Sequence, residues 1–208
     1  MLKDLSVERF VKEVASNAPA PGGGSVAAEA GAQAAGLLSM YCNLSQNRKI
    51  LGDVVDTLQA FGEEARFLMN KMLETMDEDT IAFNRVMEAY RLPKVNDQEK
   101  AKRKEAISEA GLYAADVPMQ TARGSLRVLT LISEAAGKGN PSAVTDLAVA
   151  NLQAISALTG ACYNVKINLD MISEQKAAAE YKQEVEELIR QGRDLFEANR
   201  VSLEQEIF

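Results

Sequence analysis

Leu58, Phe61, Ala65, Leu68, Met72, Met76, Phe83, Val86 and Tyr90 recur at steps of three and four, with no proline between Leu51 and Tyr90. That spacing predicts one long amphipathic helix, or two in line. Between Met76 and Phe83 the position that continues the stripe is Asp79. A carboxylate on an apolar face is unfavourable unless it is paired, protonated or chemically employed. Asp77 and Glu78 project to other sides of the same helix and are expected to be solvated.

The rest of the chain reads as further helices. Ser6 precedes Val7, Phe10, Val11 and Val14, an N-cap followed by an apolar face, and predicts a peripheral helix ending before Pro19. Between Ser25 and Arg48 the only charge is Glu29, and Ala27, Gly31, Ala35 and Ser39 recur four apart. This predicts a buried central helix whose small face admits another backbone. Glu29, Gln33, Asn43 and Gln46 interrupt it too often for a membrane span. Pro93 ends the long helix and Asn96 or Asp97 caps the next, in which Pro118 is expected to cause a break or kink after Val117. The mixed charges of Asp97 to Glu105 predict a solvated face.

Gly137 to Pro141 forms a second turn, with Ser142 or Thr145 placed to cap a fifth helix. That helix has no charge between Asp146 and Lys166, but Ser156, Gly160, Asn164 and Asn168 form a stripe four residues apart. The stripe fits either interhelical hydrogen bonds or a ligand-facing surface. From Ser173 to about Glu204 charges alternate with Tyr181, Val185, Leu188, Leu195 and Phe196, an outer or dimer-packing helix. The expected fold is all-α, a multihelical bundle of long and short helices around a buried central helix, in one domain spanning 1–208.

Pro19-Ala20-Pro21-Gly22-Gly23-Gly24-Ser25 precedes the central helix. Two prolines and three glycines exclude helix there, and Ser25 is the expected N-cap. Gly22 to Ala27 fits G-x-G-x-x-A, yet helix and prolines stand where the dinucleotide fold needs a strand, and no Gly-Lys-Ser/Thr follows for a phosphate loop. Free N–H groups at Gly23, Gly24, Ser25 and Val26 could hold a carboxylate or phosphate, or the glycines could simply permit a close turn.

Composition narrows the chemistry. Helix-forming residues dominate, with 47% hydrophobic and 5% aromatic residues and no Trp. A net charge of −7 gives no electrostatic drive toward nucleic acid or an anionic membrane. Histidine is absent, so catalysis must rest on Asp, Glu, Lys, Tyr or water, and no zinc or other metal is expected. Cys42 and Cys162 fall in apolar helical runs, consistent with reduced thiols and a cytoplasmic setting, and charges at Lys3, Asp4, Glu8 and Arg9 argue against a signal peptide.

Pro19 to Ala28, Asp77-Glu78-Asp79 through Ala82-Phe83 to Leu92-Pro93-Lys94, Val117-Pro118, Gly139-Asn140 with Asp146, and Gly160-Ala161 with Asn164-Val165 and Ile167-Asn168-Leu169 resemble the cyclodeaminase/cyclohydrolase family. That family comprises the C-terminal domain of formiminotransferase-cyclodeaminase and stand-alone methenyltetrahydrofolate cyclohydrolases. Ala20 stands where Thr is common, and nothing matches the formiminotransferase domain. The resemblance implies a reduced-folate substrate, no further cofactor and a homodimer or higher assembly. It implies 5,10-methenyltetrahydrofolate cyclohydrolase activity first, formimidoyltetrahydrofolate cyclodeaminase activity second, and a non-catalytic folate- or protein-binding module third. With the site so implied, Asp79 is the first candidate base and Asp146 the second. Asn140, Asn164 and Asn168 are candidates to orient pterin or water. The glutamate tail is assigned to Arg48, Lys49 or Lys94 or to the helix start, with Pro21, Gly22, Gly23, Gly24 and Ser25 walling the pocket.

Overall fold

The computed structural model describes residues 1–46, 52 and 54–208; Arg48 and Lys49 lie outside these. The described residues form six α-helices in order: α1 (Val7–Val14), α2 (Gly23–Gln46), α3 (Val54–Arg91), α4 (Asp97–Ala135), α5 (Val144–Leu169) and α6 (Gln175–Ile207), with 3-10 turns at Leu2–Asp4 and Pro141–Ala143. The fold is all-α, and the described residues contain no strand. The predicted caps form at α1 and α4, where Ser6 accepts from Arg9 N–H and Asn96 from Glu99 N–H. Local chemistry suffices at these two ends.

α2 is the axis of the bundle, lying between α3 and α5 with α4 across its inner side. Ala28, Ala34, Ala35, Leu38 and Cys42 are wholly buried. Small side chains make this approach possible. A Cβ on Gly31 would lie 2.5 Å from Met72 Sδ, and Ser39 Oγ donates to the Gly62 carbonyl of α3 at 3.1 Å. Burial pushes both cysteine thiols up to about 12, so neither is an activated nucleophile.

The turn before α5 docks on the far end of α2. Tyr41 OH accepts from Gly139 N–H at 2.8 Å, and Ser45 Oγ accepts from Asn140 N–H at 2.8 Å. Neither expected cap of α5 is used: Asn140 caps the 3-10 turn through Ser142 N–H, and α5 begins directly behind it with Ala143 at its N-cap. Pro141 in the first turn makes a 3-10 start natural.

Pro118 neither breaks nor ends α4, which runs unbroken for 39 residues. A proline in a helix leaves the carbonyl four residues earlier without a donor. Here that carbonyl is Ala114, and Asn168 of α5 donates Nδ2 to it at 2.7 Å. The second N–H of the same amide goes to the Asn164 carbonyl at 2.9 Å. Asn168 thus repairs the gap that Pro118 opens. Asn168→Leu should destabilise the chain by about 1–3 kcal/mol in chemical denaturation, and by much less in a Pro118→Ala background, where a backbone N–H returns. Equal losses in both backgrounds would refute the pairing.

Candidate functional site

The Ala20–Pro21 peptide is cis and Pro21 is buried, so the chain turns sharply into α2. The Gly22 carbonyl accepts the first bond of the helix, from Val26 N–H at 3.1 Å. Ser25 is therefore not the N-cap but the third residue of the first turn. Its free N–H instead donates to Asp79 Oδ2 at 2.8 Å, from α3 and 54 residues away. The positive end of α2 faces an acid, as its dipole and open N–H groups favour, and that acid is a side chain of the same protein.

This contact requires glycine. A Cβ on Gly24 would lie 2.1 Å from Asp79 Oδ1 and 2.6 Å from Cγ, far inside van der Waals contact. At Gly23 the neighbour is Asn164 of α5, whose Nδ2 would lie 3.2 Å from a Cβ there. Three elements therefore meet here: the start of α2, the middle of α3 and the latter half of α5.

Ser25 is wholly buried, and its Oγ stands 3.0 Å from the Met76 carbonyl and 2.9 Å from Asp79 Oδ2. A hydroxyl has one proton and two acceptors face it. A proton on Asp79 resolves this, with Asp79 donating to Ser25 and Ser25 donating to Met76. When Asp79 is ionised, Ser25 turns its proton to the carboxylate. Burial raises the Asp79 pKa, and the two bonds from Ser25 oppose the rise. The carboxyl can be held in either protonation state without rearranging its frame.

The remaining candidates are spread out. Asn164 donates Nδ2 to the Gly160 carbonyl at 2.8 Å beside Gly23, whereas both N–H groups of Asn168 are committed as described. Asp146 begins α5, roughly 27 Å along that helix from Asn164, and Asn140 packs on Ser45, roughly 30 Å along α2 from Ser25. Within one protomer, neither reaches Asp79. Lys94 lies beyond the end of α3, which runs roughly 18 Å past Asp79.

Lys94 faces a cleft of about 570 Å³ together with Lys100, Arg103 and Lys104, with Tyr90 and Asp170 in its walls. Arg103 is fixed there by two bonds to the Tyr90 carbonyl, at 3.2 and 3.1 Å. The run expected to be only a solvated face therefore also lines a basic cleft, because Lys100, Arg103 and Lys104 share one side of α4. Its excess of cations at 100–104 was the available signal. Asp77, expected in solvent, is buried and accepts from Leu2 N–H, because the N-terminal 3-10 turn folds over α3.

Among the described residues no group of three or more Asp, Glu, Cys or His side chains is placed to hold a metal ion, and no helix is long and apolar enough to cross a membrane. What Asp79 can do is move a proton at the edge of the glycine turn.

Comparison with known proteins shows what the chain is similar to. A methenyltetrahydrofolate cyclohydrolase of Methylorubrum extorquens is 38% identical over 192 residues, 92% of each chain. The formimidoyltransferase-cyclodeaminase of Mus musculus is 33% identical over 81% of this chain, which spans 31% of that longer protein. A crystal structure of formiminotetrahydrofolate cyclodeaminase from Thermotoga maritima superposes over 100% of both chains with a TM-score of 0.87 and 27% identity. Residues 6–187 match the family described as formiminotransferase-cyclodeaminase, and the chain belongs to it.

Proposed function

We propose that the protein is a 5,10-methenyltetrahydrofolate cyclohydrolase with Asp79 as its general base and acid. The observation that carries this is the Asp79 carboxyl, raised in pKa by burial and held by both the N–H and the hydroxyl of Ser25. In the substrate one carbon bridges N5 and N10 as an amidinium cation. Ionised Asp79 stabilises that charge and takes a proton as water adds to the carbon. The tetrahedral product then breaks its C–N5 bond, N5 receives the proton from Asp79, and the carbinol proton leaves to solvent as the formyl C=O forms on N10. The net change is addition of water and release of one proton.

Pro21 to Ser25 form one wall of the pocket, and Asn164 stands beside it with an amide oxygen to which none of the described residues donates, suited to orient water or pterin. The basic cleft at Lys94 suits the anionic glutamate tail. Its distance from Asp79 supports assigning it the tail rather than the ring. No cofactor besides the folate substrate is required by this chemistry. The buried thiols fit the reducing cytoplasm.

The same frame suits formimidoyltetrahydrofolate cyclodeamination, which passes through the same tetrahedral carbon with an amino group in place of hydroxyl. The likeness to cyclodeaminases favours keeping this second reading. Loss of the near-ultraviolet band of methenyltetrahydrofolate, measured beside ammonia release from formimidoyltetrahydrofolate, separates the two. Binding of folate without turnover of either substrate would leave only a binding module.

A homodimer is supported by the outer faces of α2 and α5. Met40, Leu44, Val149, Leu152, Tyr163 and Ile167 are exposed there on helices nearly free of charge. Two such helices cover more than 500 Å² per copy by their dimensions, roughly 1,000 Å² or more in total, the size of a specific interface. Antiparallel pairing about a two-fold axis would carry Asn140 and Asp146 of one copy toward Asp79 of the other. Leu152→Glu should then yield monomers in sedimentation with little turnover; an active monomer would remove the dimer from the mechanism.

A further inference from the structure

Beside the glycine turn, on the side away from α5, α1 and the N-terminal 3-10 turn cover a groove of about 370 Å³ between α2 and α3. Its walls are largely apolar, with Leu5, Phe10, Val26 and Met76 among them. Two of these adjoin the Asp79 site directly. Val26 follows Ser25 in the chain, and the Met76 carbonyl is the acceptor of Ser25 Oγ. The one carboxylate lining the groove is Glu29, half-buried one helical turn after Ser25, and Gln33 Nε2 donates to its Oε1. Among the described residues none donates a hydrogen bond to the other carboxylate oxygen, Oε2. Burial raises the Glu29 pKa, and the bond from Gln33 opposes this.

An apolar groove with a single fixed acid in its wall is the usual form of a small-molecule site. The chemistry of that acid defines the ligand. A 2-amino-4-oxopterin is flat and apolar on its faces, and on one edge it carries two adjacent donors, N3–H and the 2-amino group. A carboxylate accepts such a pair as a fork. The reacting N5 lies on the opposite ring of the bicycle. One turn of α2, about 5.4 Å, separates Glu29 from Ser25, comparable to the width of that bicycle.

We propose that Glu29 anchors the pterin ring of the substrate by accepting from N3–H and the 2-amino group, seating the ring against Phe10 and Met76 with N5 toward Asp79. This inference rests on the folate reading and adds to it the residue that selects a pterin. It also gives α1 a task, since Phe10 is the residue by which that helix is buried.

The test is calorimetric titration of the full chain with tetrahydrofolate, 6-methyltetrahydropterin and the N3-methyl derivative of that pterin. The wild type should bind both unmodified compounds and lose tenfold or more in affinity on N3 methylation, the size expected for a charge-assisted bond. Glu29→Gln should weaken both unmodified compounds by a similar factor and no longer discriminate against the methyl group. Val26→Phe, which fills the groove while keeping the acid, should weaken all three ligands, with thermal midpoints showing that both variants fold. If the wild type tolerates N3 methylation, or Glu29→Gln discriminates as strongly as the wild type, the inference is overturned while the folate reading stands. Failure of the wild type to bind tetrahydrofolate at all would overturn both.

Discussion

Asp79→Asn is expected to lower turnover of methenyltetrahydrofolate by about 10²- to 10⁴-fold, the range of general acid–base catalysis, without unfolding the chain. An asparagine at this position reproduces the frame of the ionised carboxylate without its charge. With its amide oxygen in the Oδ2 position it accepts from both Ser25 N–H and Ser25 Oγ, the two groups that meet at that one oxygen. What is lost is the ability to take and return a proton. The pH dependence follows in sign from the raised pKa of Asp79. The folded state binds this proton more tightly than the unfolded chain, so the associated stability is full below the ordinary carboxylate range. It is lost as pH rises through the raised value. The variant should therefore be as stable as the wild type near neutral pH, or more so, and should lack this dependence in urea titrations across the acidic range. Wild-type turnover should rise with pH over the same interval, as the base ionises. Retained turnover in the variant would remove Asp79 from the mechanism.

Gly24→Ala is expected to have the second largest effect. Its methyl group would fall 2.1 Å from Asp79 Oδ1, so either the carboxylate leaves the start of α2 or the two helices separate. Overpacking of this kind costs about 1–3 kcal/mol, and turnover should fall nearly as far as in Asp79→Asn because the base is displaced. Gly36→Ala on the same helix is the control. Its nearest neighbour would be Met69 Sδ at 3.6 Å, an ordinary contact, and alanine favours helix by up to about 1 kcal/mol. A Gly24→Ala enzyme with wild-type rate and stability would show that the close contact between the glycine and Asp79 is dispensable.

The helices themselves were legible because each carries its own signal. Ser6 and Asn96 act within a few residues of their partners, and the stripe from Leu58 to Tyr90 needs only its period. Asp79 was legible for the opposite reason, as the one position where that period is broken. Where the reading failed, the deciding partner lay far off in the chain. Ser25 was expected to cap its own helix, but a carboxylate from α3 took that role and left Gly22 at the boundary. Pro118 was expected to break α4, but α5 supplied the missing donor. The cations of α4 become a cleft only when Tyr90 and Asp170 close around them. Glu29 was read only as an interruption of a buried helix, because the groove it lines is built largely by the first eleven residues and by α3.

The exchange between Pro118 and Asn168 carries a consequence for how the sequence can drift. A descendant that replaces the proline with a helix-forming residue regains a backbone bond and can then discard the amide, whereas one that loses the amide first is left with an orphaned carbonyl in the interior. The order of change is therefore directional: the ring goes before the amide. Two positions on different helices should be inherited as a unit, and their joint replacement should be found far more often than loss of the asparagine alone.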